Sequence, residues 1–191
     1  MVKRVFIVHA WEAHPEDEWY PWLKKELEKK GFYVEVPEMP NTDEPEINAW
    51  ISFLREKVGN PDSETFFVGH SIGCQAILRY LESLPSDAKV GGAVFVAGWF
   101  HLTNLESEAE ETAKPWLETK IDFAKVKKHT KNFVAIHSDN DFWVPLGDAK
   151  IFEEKLKAKI VIKHKMGHFR VKDGVGKLPE ALNGLLMMAE S

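Results

Sequence analysis

The chain has 191 residues, which suits one domain with a core of its own, since domains usually hold roughly 100–200 residues. Hydrophobic residues make up 44% and charged residues 29%, values typical of globular proteins and not of disordered chains. Lys and Arg total 25 against 30 Asp and Glu. The net charge of −5 therefore predicts no basic surface and no nucleic-acid partner.

Cysteine content and apolar stretches bear on the compartment. The single cysteine, Cys74, excludes an internal disulfide and a CxxC metal site. The N-terminal apolar run Val5–Val8 lacks a small-residue cleavage site after it and predicts a strand, not a signal peptide. The longest apolar stretch, residues 90–100, is far short of the roughly 20 residues that cross a bilayer. We therefore expect a cytoplasmic protein with no membrane association.

Short β-branched runs alternate with longer segments of helical spacing along the whole chain. The predicted strands are Val5–Val8, Phe32–Val36, Thr65–Val68, Val90–Ala97, Phe133–Ile136 and Lys159–Ile162. The predicted helices are Glu18–Lys30, Glu46–Val58, Ile72–Leu84, Leu146–Leu156 and Leu178–Met188. This alternation predicts an α/β fold, with a six-stranded parallel sheet between two layers of helices. Residues 1–191 are expected to form one domain, in which residues 101–130 are the candidate for a short lid insertion.

The segment Gly69-His70-Ser71-Ile72-Gly73 has G-x-S-x-G spacing between a predicted strand and a predicted helix. Such a turn is tight, and small residues two before and two after the serine let the two segments pass closely. The turn lifts Ser71 Oγ above the sheet and directs a helix N-terminus at it, where N–H groups can hold an oxyanion. The pattern predicts a nucleophile; the alternative is a chance pair of glycines at an ordinary strand-to-helix turn.

A nucleophilic serine needs a base, and the base needs an orienting carboxylate. Asp139 and Asp141 follow the fifth predicted strand, and His164 and His168 follow the sixth. Because parallel strands end at one edge of the sheet, these groups are expected near Ser71. His168 is preferred as the base because it follows Gly167 on a loop, whereas His164 lies at the strand end. For Asp139 the alternative role is a turn cap.

Taken together, these segments resemble the small serine hydrolases of the α/β-hydrolase fold, a family that includes the bacterial YdeN type and the retinoblastoma-binding protein 9 type. The similar segments run nearly from end to end: His9-Ala10-Trp11, residues 19–23, residues 69–74, residues 141–145 and Gly167-His168-Phe169. The resemblance implies a triad of Ser71, Asp141 and His168, since the family pattern of Asp, two residues, an aliphatic residue and Pro fits Asp141 and not Asp139. It also implies a hydrolase sheet without its first two strands, ordered 2-1-3-4-5-6.

An oxyanion hole needs two N–H donors, and Ile72, directly after the nucleophile, is expected to supply one. The second should come from the loop after the first strand, where hydrolases commonly carry His-Gly. Here Ala10 replaces that glycine, and alanine resists a positive φ, so we expect Trp11 to donate instead. Six aromatic residues near the same edge are expected to wall an apolar substrate pocket, with lid packing as the alternative: Trp11, Trp99, Phe100, Phe142, Trp143 and Phe169.

The sequence contains eight histidines, which raises the question of a metal site. His9 and His14 are five residues apart and His164 and His168 four apart, but no HExxH motif or carboxylate-rich segment accompanies them. We therefore expect no metal and no organic cofactor. Cys74 is expected to be a small buried side chain and not a nucleophile.

These features predict a serine hydrolase that cleaves a small carboxylic ester or thioester through an acyl-enzyme. The rival is a protein-interaction module on the same fold, since one branch of the resembling family is named for binding a pocket protein. Such binding uses an L-x-C-x-E peptide, which is absent around Cys74, and no other sequence feature indicates a partner protein. A peptidase or a lactonase also stays open, because pocket shape decides the reaction.

Overall fold

Six strands and seven α-helices alternate along residues 2–190, the part of the chain that this computed structural model describes. The strands are β1 (Arg4–Val8), β2 (Tyr33–Glu35), β3 (Thr65–His70), β4 (Gly92–Val96), β5 (Phe133–Ser138) and β6 (Lys159–Lys163). The helices are α1 (Tyr20–Glu28), α2 (Ile47–Val58), α3 (Ile72–Glu82), α4 (Ser107–Glu118), α5 (Phe123–His129), α6 (Asp148–Leu156) and α7 (Pro179–Ala189). None of the helices within residues 2–190 has the length and apolarity that a bilayer crossing requires.

All strand pairs are parallel, and the sheet order is β2-β1-β3-β4-β5-β6. The predicted α/β fold, the six-stranded parallel sheet and the strand order are therefore confirmed. The order reverses direction beside β1, so the loops after β1 and β3 leave a crevice at the carboxyl ends of these strands. In register, Val8 lies opposite Gly69, and His70 lies opposite Val96. Ser71, the residue after β3, therefore lies at this crevice.

Each face of the sheet has its own apolar core, which confirms the three-layer arrangement. Successive residues of β1 alternate between the two cores: Phe6 and Val8 face one, and Val5 and Ile7 face the other. The first core also contains buried residues of α2, α3, α5 and α6, and the second those of α1 and α7. Both cores are continuous along the sheet, and this rigid platform holds the loops at its carboxyl edge.

Residues 101–130, the predicted lid insertion, form two helices, α4 and α5. The Asp122 carboxylate caps the start of α5 by accepting the N–H groups of Ala124 and Lys125. Val126 of α5 is fully buried in the first core. Trp116 of α4 is buried in the same core, so both helices are part of the main body of the fold, and only residues 102–109 reach the crevice beside Ser71.

Candidate active site

Ser71 sits at the sharp turn between β3 and α3 in a left-handed backbone conformation, with φ 54° and ψ −118°. The glycines around it are required by close backbone contacts. A Cβ on Gly73 would lie 2.2 Å from the Val8 carbonyl oxygen, and one on Gly69 would lie 2.7 Å from the Cys74 nitrogen. The G-x-S-x-G spacing therefore reflects the approach of α3 to β1, and the turn holds the serine at the crevice.

His168 and Asp141 form a buried pair next to this turn. His168 Nδ1 lies 2.7 Å from Asp141 Oδ2, and the two side chains are 8% and 2% exposed. The other carboxylate oxygen accepts the N–H groups of Trp143 and Val144, at 3.0 and 3.1 Å. Because a carboxylate only accepts, the imidazole donates from Nδ1 and presents a lone pair on Nε2. His168 and Ser71 line one cleft of about 170 Å³.

The second candidate pair, Asp139 and His164, lies elsewhere. Asp139 accepts hydrogen bonds from His164 Nδ1, at 2.5 Å, and from the Lys165 N–H, at 2.9 Å. The Lys165 hydrogen bond, with that of His164, lowers the pKa of the Asp139 carboxyl below its ordinary value. The His164 side chain is 75% exposed, and neither residue lines the cleft of Ser71. Asp139 thus caps the start of the loop that carries His168, as its alternative role predicted.

A buried hydrogen-bond chain connects the loops on either side of the cleft. His70 Nε2 donates to the His168 carbonyl at 2.8 Å, because a carbonyl only accepts. His70 Nδ1 then accepts from the Tyr20 hydroxyl at 2.7 Å, and the hydroxyl oxygen accepts the Ala10 N–H at 3.0 Å. This sequence of donors and acceptors requires a neutral His70 with its proton on Nε2. Burial holds the pKa of His70 well below its ordinary value.

The loop after β1 leaves one N–H group available beside Ser71. The Ala10 N–H is taken by Tyr20, whereas the Trp11 N–H has no protein acceptor among residues 2–190. Ile72 is the first residue of α3, so its N–H has no carbonyl within the helix to bond. The left-handed residue of the loop is Glu12, with φ 57°, and not Ala10, so the alanine there is unstrained.

Three tryptophans of the predicted pocket wall the cleft: Trp11, Trp99 and Trp143. The Trp143 ring stands edge-on to the His168 ring at 5.2 Å between centroids. The structure places the other three predicted pocket residues, Phe100, Phe142 and the fully buried Phe169, outside this cleft. The Phe100 ring packs on the Phe152 ring instead, at 4.9 Å between centroids. Phe142 is 60% exposed.

Sequence reasoning did not identify five further residues that line the cleft: Glu12, Leu102, Leu105, Ala109 and Arg170. Three of them are small or aliphatic side chains from the segment before and at the start of α4, which closes one side of the cleft. Arg170 lies two residues after His168. This closeness in sequence to the candidate base was the signal that could have identified it.

His9 and Cys74 are buried and have hydrogen-bond partners. His9 Nδ1 donates to the Ala10 carbonyl, and His9 Nε2 accepts the Met39 N–H, so both ring nitrogens are used. Cys74 is fully buried, as predicted, and burial raises the pKa of its thiol. Across residues 2–190, no three His, Cys, Asp or Glu side chains gather in a way that would hold a metal ion.

Comparison with known proteins gives consistent results. A family model described as serine hydrolase matches residues 5–187. The chain is 32% identical to the YdeN protein of Bacillus subtilis, named as a hydrolase, over 180 residues that cover 94% of this chain and 92% of that one. It is 25% identical to the serine hydrolase RBBP9 of Rattus norvegicus over 153 residues, 80% and 78% of the two chains. The crystal structure of the ydeN gene product superposes on all of this chain with a TM-score of 0.91 and 28% identity.

Proposed function

Since this chain belongs to the serine hydrolase family and has the α/β-hydrolase fold, we propose that it cleaves small carboxylic esters or thioesters with Ser71, His168 and Asp141 as its triad. One observation carries the proposal: the buried 2.7 Å contact between Asp141 and His168 borders the cleft that Ser71 also lines. Nucleophile, base and orienting acid thus follow the logic of serine hydrolysis.

In the first half of the reaction, Ser71 Oγ attacks the substrate carbonyl carbon as its proton passes to His168 Nε2. The imidazolium is stabilised by the Asp141 carboxylate, whose second oxygen is held by two backbone N–H groups. The oxyanion is bound by the N–H groups of Ile72 and Trp11, and the N-terminal end of α3 favours its negative charge. His168 then protonates the leaving alcohol or thiol, and the acyl group stays on Ser71.

In the second half, a water molecule attacks the acyl-enzyme while His168 takes its proton. The same N–H groups bind the second oxyanion. Collapse of this intermediate breaks the bond to Ser71 Oγ, which regains its proton from His168 as the carboxylic acid leaves. Each step uses groups of this chain and water, so we expect chelators to leave the activity unchanged.

The backbone at Ser71 favours an enzyme over a pure interaction module. A non-glycine residue held at φ 54° costs of order 1–3 kcal/mol, a strain that persists where function uses it. A binding surface elsewhere on the fold gains nothing from this strain. The cleft is also lined mostly by buried and half-buried side chains and closed by the segment before α4, which suits a small molecule and not a protein surface.

Labelling with a fluorophosphonate tests the nucleophile. We expect the wild-type protein to form one adduct, on the peptide that contains Ser71, and Ser71→Ala to form none. Ser52→Ala is the matched control, because Ser52 is exposed on α2, away from the cleft. Equal labelling of the wild-type and Ser71→Ala proteins would reject the proposal. Phenyl acetate, phenyl thioacetate and acetanilide then compare ester, thioester and amide, and faster cleavage of acetanilide would indicate a peptidase.

A further inference from the structure

The cleft beside Ser71 contains a largely buried cation that the proposed mechanism does not use. The Arg170 side chain is 23% exposed and lines the cleft together with Ser71 and His168. Its guanidinium carbon lies 4.2 Å from the centroid of the Trp143 ring, so the cation is stacked on one of the cleft walls. Arg170 is therefore held in a defined position next to the reacting groups.

Arg170 has too few acceptors for its donors. A guanidinium carries five N–H donors, yet no hydrogen bond from this side chain to a protein acceptor is found in residues 2–190. Its Nε is buried and lies 3.7 Å from Asp173 Oδ2, beyond hydrogen-bond distance. That oxygen already accepts the N–H groups of His168 and Arg170, at 2.9 and 3.1 Å. Arg170 is therefore ion-paired with Asp173 but not hydrogen-bonded to it. A buried donor without a hydrogen-bond acceptor is costly, so the arrangement favours an acceptor that arrives with a ligand.

We propose that Arg170 is a specificity residue that binds a carboxylate of the substrate, so that the preferred esters are anionic. The inference rests on the proposed function and adds the substrate class to it. Arginine suits this role because its planar fork matches a carboxylate with two parallel hydrogen bonds. A cavity of about 150 Å³ accommodates benzene, so a cleft of about 170 Å³ leaves room for a spacer of a few atoms between the ester and the carboxylate.

Asp173 forms an ion pair with Arg170 and Glu18 lies within reach of its charge, but neither residue lines the cleft or accepts a hydrogen bond from the guanidinium. Glu12, the other charged side chain of the lining apart from His168, is exposed, so water screens its charge. The sequence has an acidic run at the start of α4, but Ala109 is the one residue of α4 that lines the cleft. Glu110 and Glu111 line a separate groove. A direct contact in a mostly buried site outweighs charges that act through solvent.

Binding to the inactive Ser71→Ala protein tests the inference without chemistry. The probes are 4-acetoxybenzoate and its neutral isostere 4-acetoxybenzamide, with the carboxylate on the alcohol side, and monomethyl glutarate and methyl 4-carbamoylbutanoate, with it on the acyl side. We expect calorimetry to show about tenfold tighter binding of the anion in at least one pair, the effect of one charge-assisted contact. Arg170→Gln in the same background should remove this preference. Equal affinities within both pairs would overturn the inference.

The matched control is Lys172→Gln. Lys172 also lies near the Trp143 ring, at 5.5 Å, but it is exposed and does not line the cleft. The Lys172→Gln protein should keep the anion preference. A loss equal to that of Arg170→Gln would show that the general positive field of this region, and not a contact with Arg170, favours the anion, and it would overturn the inference.

Kinetics of the active protein complete the test. The ratio of kcat/KM for the anion to that for its neutral isostere should fall about tenfold in Arg170→Gln and less in Arg170→Lys. An unchanged ratio in Arg170→Gln would contradict the inference. If the wild-type protein hydrolyses neither probe of any pair while the binding preference holds, the proposed function fails and the carboxylate site stands.

Discussion

Two Asp–His pairs lie on neighbouring loops, and burial gives them different chemistry. In the pair of Asp141 and His168 both side chains are nearly inaccessible, whereas Asp139 and His164 are 33% and 75% exposed. A charge that forms on His168 is stabilised by an unscreened carboxylate, while the exposed pair is weakened by water and salt. The same two residue types thus form a buried pair, the proposed base and its orienting acid, in one place and a loop cap in the other.

This contrast predicts opposite effects of two asparagine substitutions. Asp141→Asn should lower kcat/KM by about 10⁴-fold, the loss that accompanies removal of the orienting carboxylate in a serine protease. Asp139→Asn should stay near the wild-type value, because Asp139 contacts neither Ser71 nor His168. Steady-state hydrolysis of phenyl acetate measures both, and a larger loss in Asp139→Asn would move the triad to the other pair.

Among the elements, the approach of α3 to β1 is the tightest contact at the active site. Gly73 lies on α3, and its α-carbon faces the backbone of Val8 and His9. No side chain can move aside there, because the obstacle is the carbonyl oxygen of a central strand. The position of the nucleophile therefore depends on the absence of one Cβ atom.

We expect Gly73→Ala to lower the free energy of unfolding by about 3 kcal/mol or more, since backbone must shift to admit the methyl group. Gly147→Ala is the matched control: a Cβ there meets no atom within 4 Å, and its φ of −57° suits alanine. That variant should equal or slightly exceed the wild-type stability. Urea unfolding followed by circular dichroism measures both, and similar losses would contradict the packing argument.

We expect the segment before and at the start of α4 to limit the length of substrate that the cleft accepts. Leu102, Leu105 and Ala109 close one side of the cleft, opposite the tryptophan walls. A long apolar tunnel would gain about 0.8 kcal/mol per methylene, so kcat/KM would rise steadily with acyl length. In a cleft of about 170 Å³ longer chains instead meet the walls.

We therefore expect p-nitrophenyl acetate and butyrate to be hydrolysed with higher kcat/KM than octanoate and palmitate. Leu105→Ala should shift the optimum to longer chains by removing part of the closing side. A profile of the wild-type protein that climbs to palmitate would show an open groove and indicate a lipase or a long-chain thioesterase.

For the whole molecule, three buried histidines couple stability to pH. Burial lowers the pKa of His9, His70 and His137 below the ordinary value of about 6.5. Between the folded and unfolded pKa values the unfolded chain binds more protons, so stability rises with pH in that window. The stabilisation is complete above about pH 6.5 and is lost as the pH falls towards the folded pKa values.

Accordingly, the free energy of unfolding should fall by roughly 1–4 kcal/mol per pH unit between pH 6.5 and 5.5, up to about 1.4 kcal/mol from each histidine. His137→Gln should reduce this slope, because glutamine keeps a donor for the Gly98 carbonyl and does not titrate. Urea unfolding at several pH values measures the slope, and a flat profile would contradict the assignment of neutral histidines.

Much of this protein is determined by local sequence patterns. Apolar runs that alternate with helical spacing predict the parallel sheet, because each element must bury one face regardless of its distant neighbours. The elbow is equally local: Gly69, Ser71 and Gly73 lie within five residues, and the close contacts that require them involve the turn itself and the adjacent strand. The fold and the candidate nucleophile were therefore predictable from the sequence.

The tertiary structure decided the partners and the walls of the site. Asp141 and His168 are 27 residues apart; the family pattern favoured them over Asp139 and His164, but only the structure shows that their pair is the buried one. Phe100 turned away from the cleft and Arg170 into it. Which side chains line the cleft depends on how loops from different strands pack against one another. No local pattern contains that information, because the contacts that settle it are formed by segments far apart in the chain.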